Sequence, residues 1–172
     1  ESIREALCGG EKLTLLAQSY GGFCALSYLS TFPQGVEKAL FTCGLAPVGV
    51  PIDDVYRATF DRMEARCHRF YSRYPEDVEV VRDIVRELDA NPRPLPRGGT
   101  LTARRFLQLG LLLVSSNGLE SLHHLLEEAY CGAGGATPNV VLCDEFLNSG
   151  ERAQEAFETN PIYYLLHEPI YV

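Results

Sequence analysis

The chain has 172 residues, enough for one packed core, and its 23 acidic and 15 basic side chains give a formal charge of −8. That balance argues against nucleic acid or an anionic membrane as a partner, because phosphates attract clustered Lys and Arg. Six cysteines (Cys8, Cys24, Cys43, Cys67, Cys131 and Cys143) occur singly, with no CxxC or CxxH pair, so they are expected to be buried thiols of a reduced, cytoplasmic compartment.

The chain opens on Glu1, without methionine and inside a helical pattern, so an N-terminal part is expected to precede it. Ile3, Ala6 and Leu7 mark the end of that helix, closed by Gly9 and Gly10. LTLLAQ, residues 13–18, barely alternates and reads as a strand buried on both sides. Residues 22–29 read as a helix stopped near Pro33, and VEKALFTC, residues 36–43, as a second strand. Helix, strand, helix, strand implies a parallel α/β sheet, which two strands leave unfinished.

GLAPVGVP reads as a linker. Asp53 or Asp54 then caps a long helix with Tyr56, Phe60, Met63, Cys67 and Phe70 on one stripe, ended by Tyr74 and Pro75. Val78, Val81, Ile84, Val85 and Leu88 form the next stripe, and NPRPLPRGG a loop. Thr102 caps a helix through Val114, although Gly110 weakens it; this apolar stretch, 106–114, is far too short to span a bilayer. Asn117 or Gly118 starts a helix lined by Leu119, Leu122, Leu125, Leu126 and Ala129, and CGAGGATPN breaks it. Shorter helices follow, one starting at Asn160-Pro161. The fold class is α/β, divided near residue 47: a piece of α/β sheet over 1–47, and a mostly helical layer over 48–172.

AQSYG sets a serine between the first strand and the first full helix. A nucleophile elbow needs small residues two before and two after its serine, which here are Ala17 and Gly21. Such a corner lifts the Ser19 hydroxyl out of the sheet at the positive end of a helix. The Tyr20 backbone N–H can serve as an oxyanion donor, and Gly22 lets the helix pack close to the strand. The plainer reading of Ser19 is a turn residue.

QSYGGFCALSYLSTFPQGVEKALFTCGLAPVG resembles the nucleophile region of prolyl aminopeptidases, the proline iminopeptidases of the α/β-hydrolase superfamily. DDVYRATFDRMEARCHRFYSRYPED, LTARRFLQLG and TNPIYYLLHEPIY resemble cap segments of that family. The resemblance implies a partial α/β-hydrolase sheet segment, 1–47, followed by a helical cap domain, 48–172. It implies release of N-terminal proline from peptides through an acyl-enzyme, with Ser19 as nucleophile and the Tyr20 amide in the oxyanion site. It also implies that Glu168 binds the substrate's free amine. A carboxylate in a desolvated pocket pairs with a secondary ammonium and rejects blocked N-termini. The alternative for Glu168 is a helix cap or a pair with Arg.

The departures from the family's pattern are as informative. There is no HGGPG-like loop, and the triad Asp and His belong to a region beyond the cap, past Val172. His68 lies off its helix stripe, His123 and His124 on the outer side of a helix, and His167 beside Glu168; all four are expected to be structural or solvent-facing. HHLLEE can bring His123 and His124 near Glu127 and Glu128, but it is not HExxH, so no metal or other cofactor is expected. The expectation is therefore a segment of a larger serine aminopeptidase, inactive alone and stable with its missing flanking segments or as a dimer that hides apolar surface. An esterase on the same fold, or a non-catalytic binding or assembly module, are the competing readings. Tyr56, Phe60, Tyr163 and Tyr164 are candidates to line a proline-ring pocket.

Overall fold

A computed structural model describes residues 1–45, 47, 49–129 and 142–171. The expected break at CGAGGATPN, with Cys131, lies outside the described residues. The fold is mostly helical with a small amount of sheet. No helix among the described residues is long and apolar enough to cross a membrane. The chain forms two compact units, Glu1–Tyr56 with Tyr164–Val172, and Arg57–Tyr163.

In the first unit, α1 (Ser2–Cys8) ends at Gly9, whose φ of 58° is the left-handed conformation that closes helices. The expected apolar face of α1 is not the buried one. Ile3, Ala6 and Leu7 are exposed, and Arg4 is buried instead. Its guanidinium is satisfied on every side. It donates to both Glu1 carboxylate oxygens at 3.1 and 2.6 Å, to the Gly10 carbonyl, and to the Glu11 carbonyl at 2.8 Å. The Tyr28 hydroxyl donates to Glu1 Oε2 at 2.5 Å, tying α1 to α2.

β1 (Leu13–Gln18) pairs in parallel with β2 (Val36–Thr42), and α2 (Tyr20–Thr31) with a 3-10 turn at Pro33–Gly35 makes the crossover that parallel pairing requires. The strand bounds agree with the sequence pattern; the burial does not. Leu16 and Leu40 are register partners, yet they are 75% and 56% exposed. A non-alternating apolar strand is suited to cover on both faces, and among the described residues these two leucines have none. The same holds for Cys8, Cys24 and Cys43, which are exposed rather than buried because they sit on outer faces of this unit; Cys143 is buried and Cys67 intermediate.

The second unit holds the large core. α3 (Ile52–Arg73) contributes Phe70, with Met63 and Cys67 partly buried; Phe60 of the same expected stripe is 70% exposed. α4 (Asp77–Ala90) buries Ile84 and Leu88. The expected loop 91–99 contains one arm of a short antiparallel ribbon, β3 (Arg93–Pro94) with β4 (Thr100–Leu101), and it buries Leu95. Thr102 caps α5 (Ala103–Leu107) by accepting from the Arg105 N–H, and a 3-10 segment, Gln108–Val114, replaces the α-helix expected there. α6 (Gly118–Glu127) buries Leu119, Leu122, Leu125 and Leu126, as their spacing predicts.

α7 (Asp144–Glu158) turns two buried polar residues inward. Glu151 accepts the Arg97 N–H through both oxygens at 3.2 Å, while Gln154 accepts from Arg105 Nε at 2.9 Å and donates to the Arg105 carbonyl at 2.7 Å. A buried carboxylate without such donors would cost several kcal/mol, on the order of the usual desolvation penalty. α8 (Ile162–Leu166) follows Asn160-Pro161. Tyr163 and Tyr164 are both exposed.

His123 is not on the outer side of α6. It stacks on Tyr74 with ring centroids 3.9 Å apart and planes 8° apart, and its Nδ1 lies 2.9 Å from the buried Asp77 carboxylate. Burial raises the Asp77 carboxyl above its ordinary value, partly offset by the hydrogen bond from His123. His124 is exposed beside Glu127, and His68 beside Glu64.

Phe146 is fully buried, so Phe146→Ala is expected to lower unfolding free energy by about 3–5 kcal/mol in urea titrations. Leu107→Ala, at an exposed position, should change it by less than about 0.5 kcal/mol. The Arg4 hydrogen bond, with help from Tyr28, holds the Glu1 carboxyl down at about 2. A depressed carboxyl stabilises the fold above its ordinary value of 4.5 and loses that contribution as pH falls towards about 2. NMR titration of Glu1 should show this low value, and Arg4→Gln should move it up towards the ordinary one.

Candidate active site

A strand that runs directly into a helix needs one residue whose backbone fits neither. Ser19 is that residue, with φ 53° and ψ −125° between β1 and α2. Such a conformation costs a non-glycine residue about 1–3 kcal/mol, so the surroundings must impose it. Its N–H donates to the Thr42 carbonyl at 3.2 Å, and its carbonyl accepts from the Gly22 N–H at 2.9 Å. The Thr42 hydroxyl donates to the Ala17 carbonyl at 3.3 Å, and Ala17 is buried beneath the turn.

Close backbone approach completes the corner. A β-carbon on Gly22 would lie 1.9 Å from the Gly44 carbonyl oxygen, and one on Gly44 would lie 2.6 Å from the Ser19 carbonyl oxygen. The small-residue requirement expected at Gly21 falls elsewhere, since a β-carbon built there meets nothing within 4 Å. Gly22 and Gly44 are the positions that cannot carry a side chain. The neighbour that crowds α2 is the segment after β2, not β1.

Ser19 makes no side-chain capping bond, and among the described residues its hydroxyl has no hydrogen-bond partner at the start of α2. The Tyr20 N–H belongs to the first turn, where a helix supplies no acceptor, and the helix dipole favours negative charge there. A hydroxyl beside a first-turn N–H at a positive helix end can form an adduct with a carbonyl carbon and stabilise the oxyanion that results.

Glu168 lies in the same unit. It precedes a 3-10 turn, Pro169–Tyr171, and its carbonyl accepts from the Tyr171 N–H at 3.1 Å. The Tyr171 carbonyl accepts from the Gly49 N–H at 2.9 Å. Aromatic rings connect this turn to the serine corner. Tyr20 and Phe23 are 5.9 Å apart, Phe23 and Tyr171 5.5 Å, Tyr171 and His167 6.1 Å, and His167 and Tyr56 6.4 Å. The chain of contacts ends at the Tyr56 hydroxyl, which donates to Glu168 Oε1 at 2.9 Å. That bond raises the Tyr56 phenol above its ordinary value. Among the described residues, the Glu168 side chain makes neither the helix cap nor the Arg pair suggested for it.

None of the four histidines is bonded to Ser19: His68, His123 and His124 face carboxylates, and His167 contacts Tyr56 and Tyr171. Among the described residues, Glu76, Asp77 and His123 bring potential ligand atoms within 4.8 Å of one another. The Asp77–His123 bond and the Tyr74 stack account for that arrangement as a packing feature.

No family model matches the chain. Two curated relatives match it almost end to end. A proline iminopeptidase of Aeromonas sobria is 38% identical over 171 residues, 99% of this chain. Proline iminopeptidase aneH of Aspergillus aculeatus is 32% identical over 171 residues, 98% of this chain. Along almost its whole length the chain is similar to proline iminopeptidases, which are prolyl aminopeptidases.

The chain spans 38% and 36% of the length of these two prolyl aminopeptidase relatives. Sequence reasoning in prolyl aminopeptidase terms singled out Ser19, Tyr20 and Glu168; the ring contacts just described run from Tyr20, next to Ser19, to Tyr56, whose hydroxyl bonds Glu168. It missed Gly44, read as a linker glycine, and the Tyr56 hydroxyl, read as a stripe or pocket ring. Nothing local in the sequence marks either one. Gly22→Ala is expected to lower unfolding free energy by about 2 kcal/mol or more through the clash with Gly44. Gly21→Ala should be neutral or stabilise α2 by up to about 1 kcal/mol, in urea unfolding followed by circular dichroism.

Proposed function

We propose that this chain supplies the nucleophile and the amine-binding carboxylate of a serine aminopeptidase of the α/β-hydrolase superfamily, one that releases N-terminal proline from peptides. The observation that carries the reading is the backbone of Ser19: a serine held at φ 53° between a strand and a helix, with Gly22 pressed on Gly44. The names of its relatives, both proline iminopeptidases, support the substrate class.

In this mechanism Ser19 Oγ attacks the carbonyl carbon of the N-terminal prolyl residue while a histidine base takes its proton. The Tyr20 N–H stabilises the oxyanion of the tetrahedral adduct. The scissile C–N bond breaks, the leaving amine takes the proton, and a prolyl ester of Ser19 remains. Water hydrolyses the ester and proline departs. Glu168 pairs with the secondary ammonium, which orients the substrate and excludes blocked N-termini. The base, its orienting carboxylate and the rest of the oxyanion site come, in this reading, from outside these 172 residues. The 172-residue chain by itself is then inactive.

The test uses free and N-acetylated proline arylamides with the whole protein that contains this chain. Selective cleavage of the free form is expected. Ser19→Ala should lower kcat/KM by about four orders of magnitude or more. Activity surviving Ser19→Ala overturns the nucleophile; equal cleavage of both substrates overturns the amine site.

A further inference from the structure

We propose that Tyr56 is a positioning residue for substrate recognition, its hydroxyl holding the Glu168 carboxylate in the orientation that receives the ammonium of the peptide's first residue. The inference rests on the amine-binding reading of Glu168 and names the group that makes it work.

Glu168 is an exposed glutamate on a short turn, and a free glutamate side chain samples many rotamers at a cost in binding entropy. Its backbone is pinned, since its carbonyl accepts from Tyr171, whose own carbonyl accepts from Gly49. Among the described residues its side chain has one hydrogen bond, from the Tyr56 hydroxyl to Oε1 at 2.9 Å. Tyr56 suits that task. It sits near the start of α3, is half-buried, and has its ring against His167. A ring on a helix has few rotamers to lose.

The donor is also neutral. Glu168 makes no salt bridge among the described residues, so its negative charge is oriented without being cancelled. An arginine in the place of Tyr56 would both hold the carboxylate and compete with the substrate's ammonium. A phenol leaves Oε2 and the whole charge to the ligand. This same bond raises the Tyr56 phenol above its ordinary value, so the donor keeps its proton further into alkaline solution than a free tyrosine would.

The experiment measures KM and kcat for a free proline arylamide in the whole protein, for Tyr56→Phe, Glu168→Gln and the double variant. Tyr56→Phe keeps the ring and deletes only the hydroxyl. Losing one hydrogen bond to a charged group is expected to raise KM about tenfold and to lower kcat by less than about twofold. In the Glu168→Gln background the same change should have no further effect on KM, because the two residues act as one unit. Binding of L-prolinamide to Ser19→Ala protein, with and without Tyr56→Phe, reads the same loss of affinity without chemistry. If Glu168→Gln weakens the enzyme but Tyr56→Phe leaves KM and prolinamide affinity unchanged, the positioning role is overturned and the amine-site reading stands. If Glu168→Gln changes neither quantity, both fall. Equal losses in kcat from Tyr56→Phe in either background would reduce Tyr56 to a packing residue.

Discussion

Gly22 and Gly44 meet so closely that neither has room for a β-carbon, and the serine corner is built around that contact. Bringing the start of α2 against the segment after β2 leaves the chain no relaxed path from β1 into the helix. Ser19 absorbs the difference by taking a positive φ. Two hydrogen bonds, to the Thr42 carbonyl and from the Gly22 N–H, then fix it on both sides. The strain is local, and parallel pairing of β1 with β2 supports it from below.

Around this corner the first unit arranges its charged and aromatic groups by distinct means. Arg4, Glu1 and Tyr28 form a satisfied cluster that fastens α1 to α2. The rings of Tyr20, Phe23, Tyr171, His167 and Tyr56 form a continuous path from the proposed nucleophile to the proposed amine site. The second unit follows a different plan, an apolar core with α7 sending Glu151 and Gln154 inward to hold the ribbon and the start of α5. One of its histidines, His123, is part of the packing, wedged between Tyr74 and Asp77.

Much of this was legible in the sequence where the signal is periodic and local. The two strands, the leucines of α6 and the Thr102 cap depend on neighbours within a few residues, and they stand where the pattern puts them. A turn at Ser19 was legible because it lies between an apolar strand and an apolar helix, although the small-residue requirement expected at Gly21 falls on Gly22 and Gly44 instead. What escaped depends on partners far away. Arg4 is buried because four oxygens surround it, a fact that no hydrophobic scale records. Leu16 and Leu40 looked interior because their strands are apolar, whereas burial depends on what covers them. Gly44 matters through Gly22, and Tyr56 through Glu168, pairs that no spacing rule relates.

The bond between Tyr56 and Glu168 closes a loop of 112 residues, whereas the serine corner joins segments about 25 apart. Loop-closure entropy rises only with the logarithm of length, so each doubling of the intervening chain costs about 0.6 kcal/mol. The helical unit between them can therefore lengthen, shorten or exchange helices over evolutionary time at little entropic cost to the proposed recognition pair. In folding the order is the reverse of that freedom. The corner can form from its own stretch of chain, while the recognition pair must wait for distant segments to meet. A chain interrupted within the helical unit would thus keep its serine geometry and lose the bond between Tyr56 and Glu168.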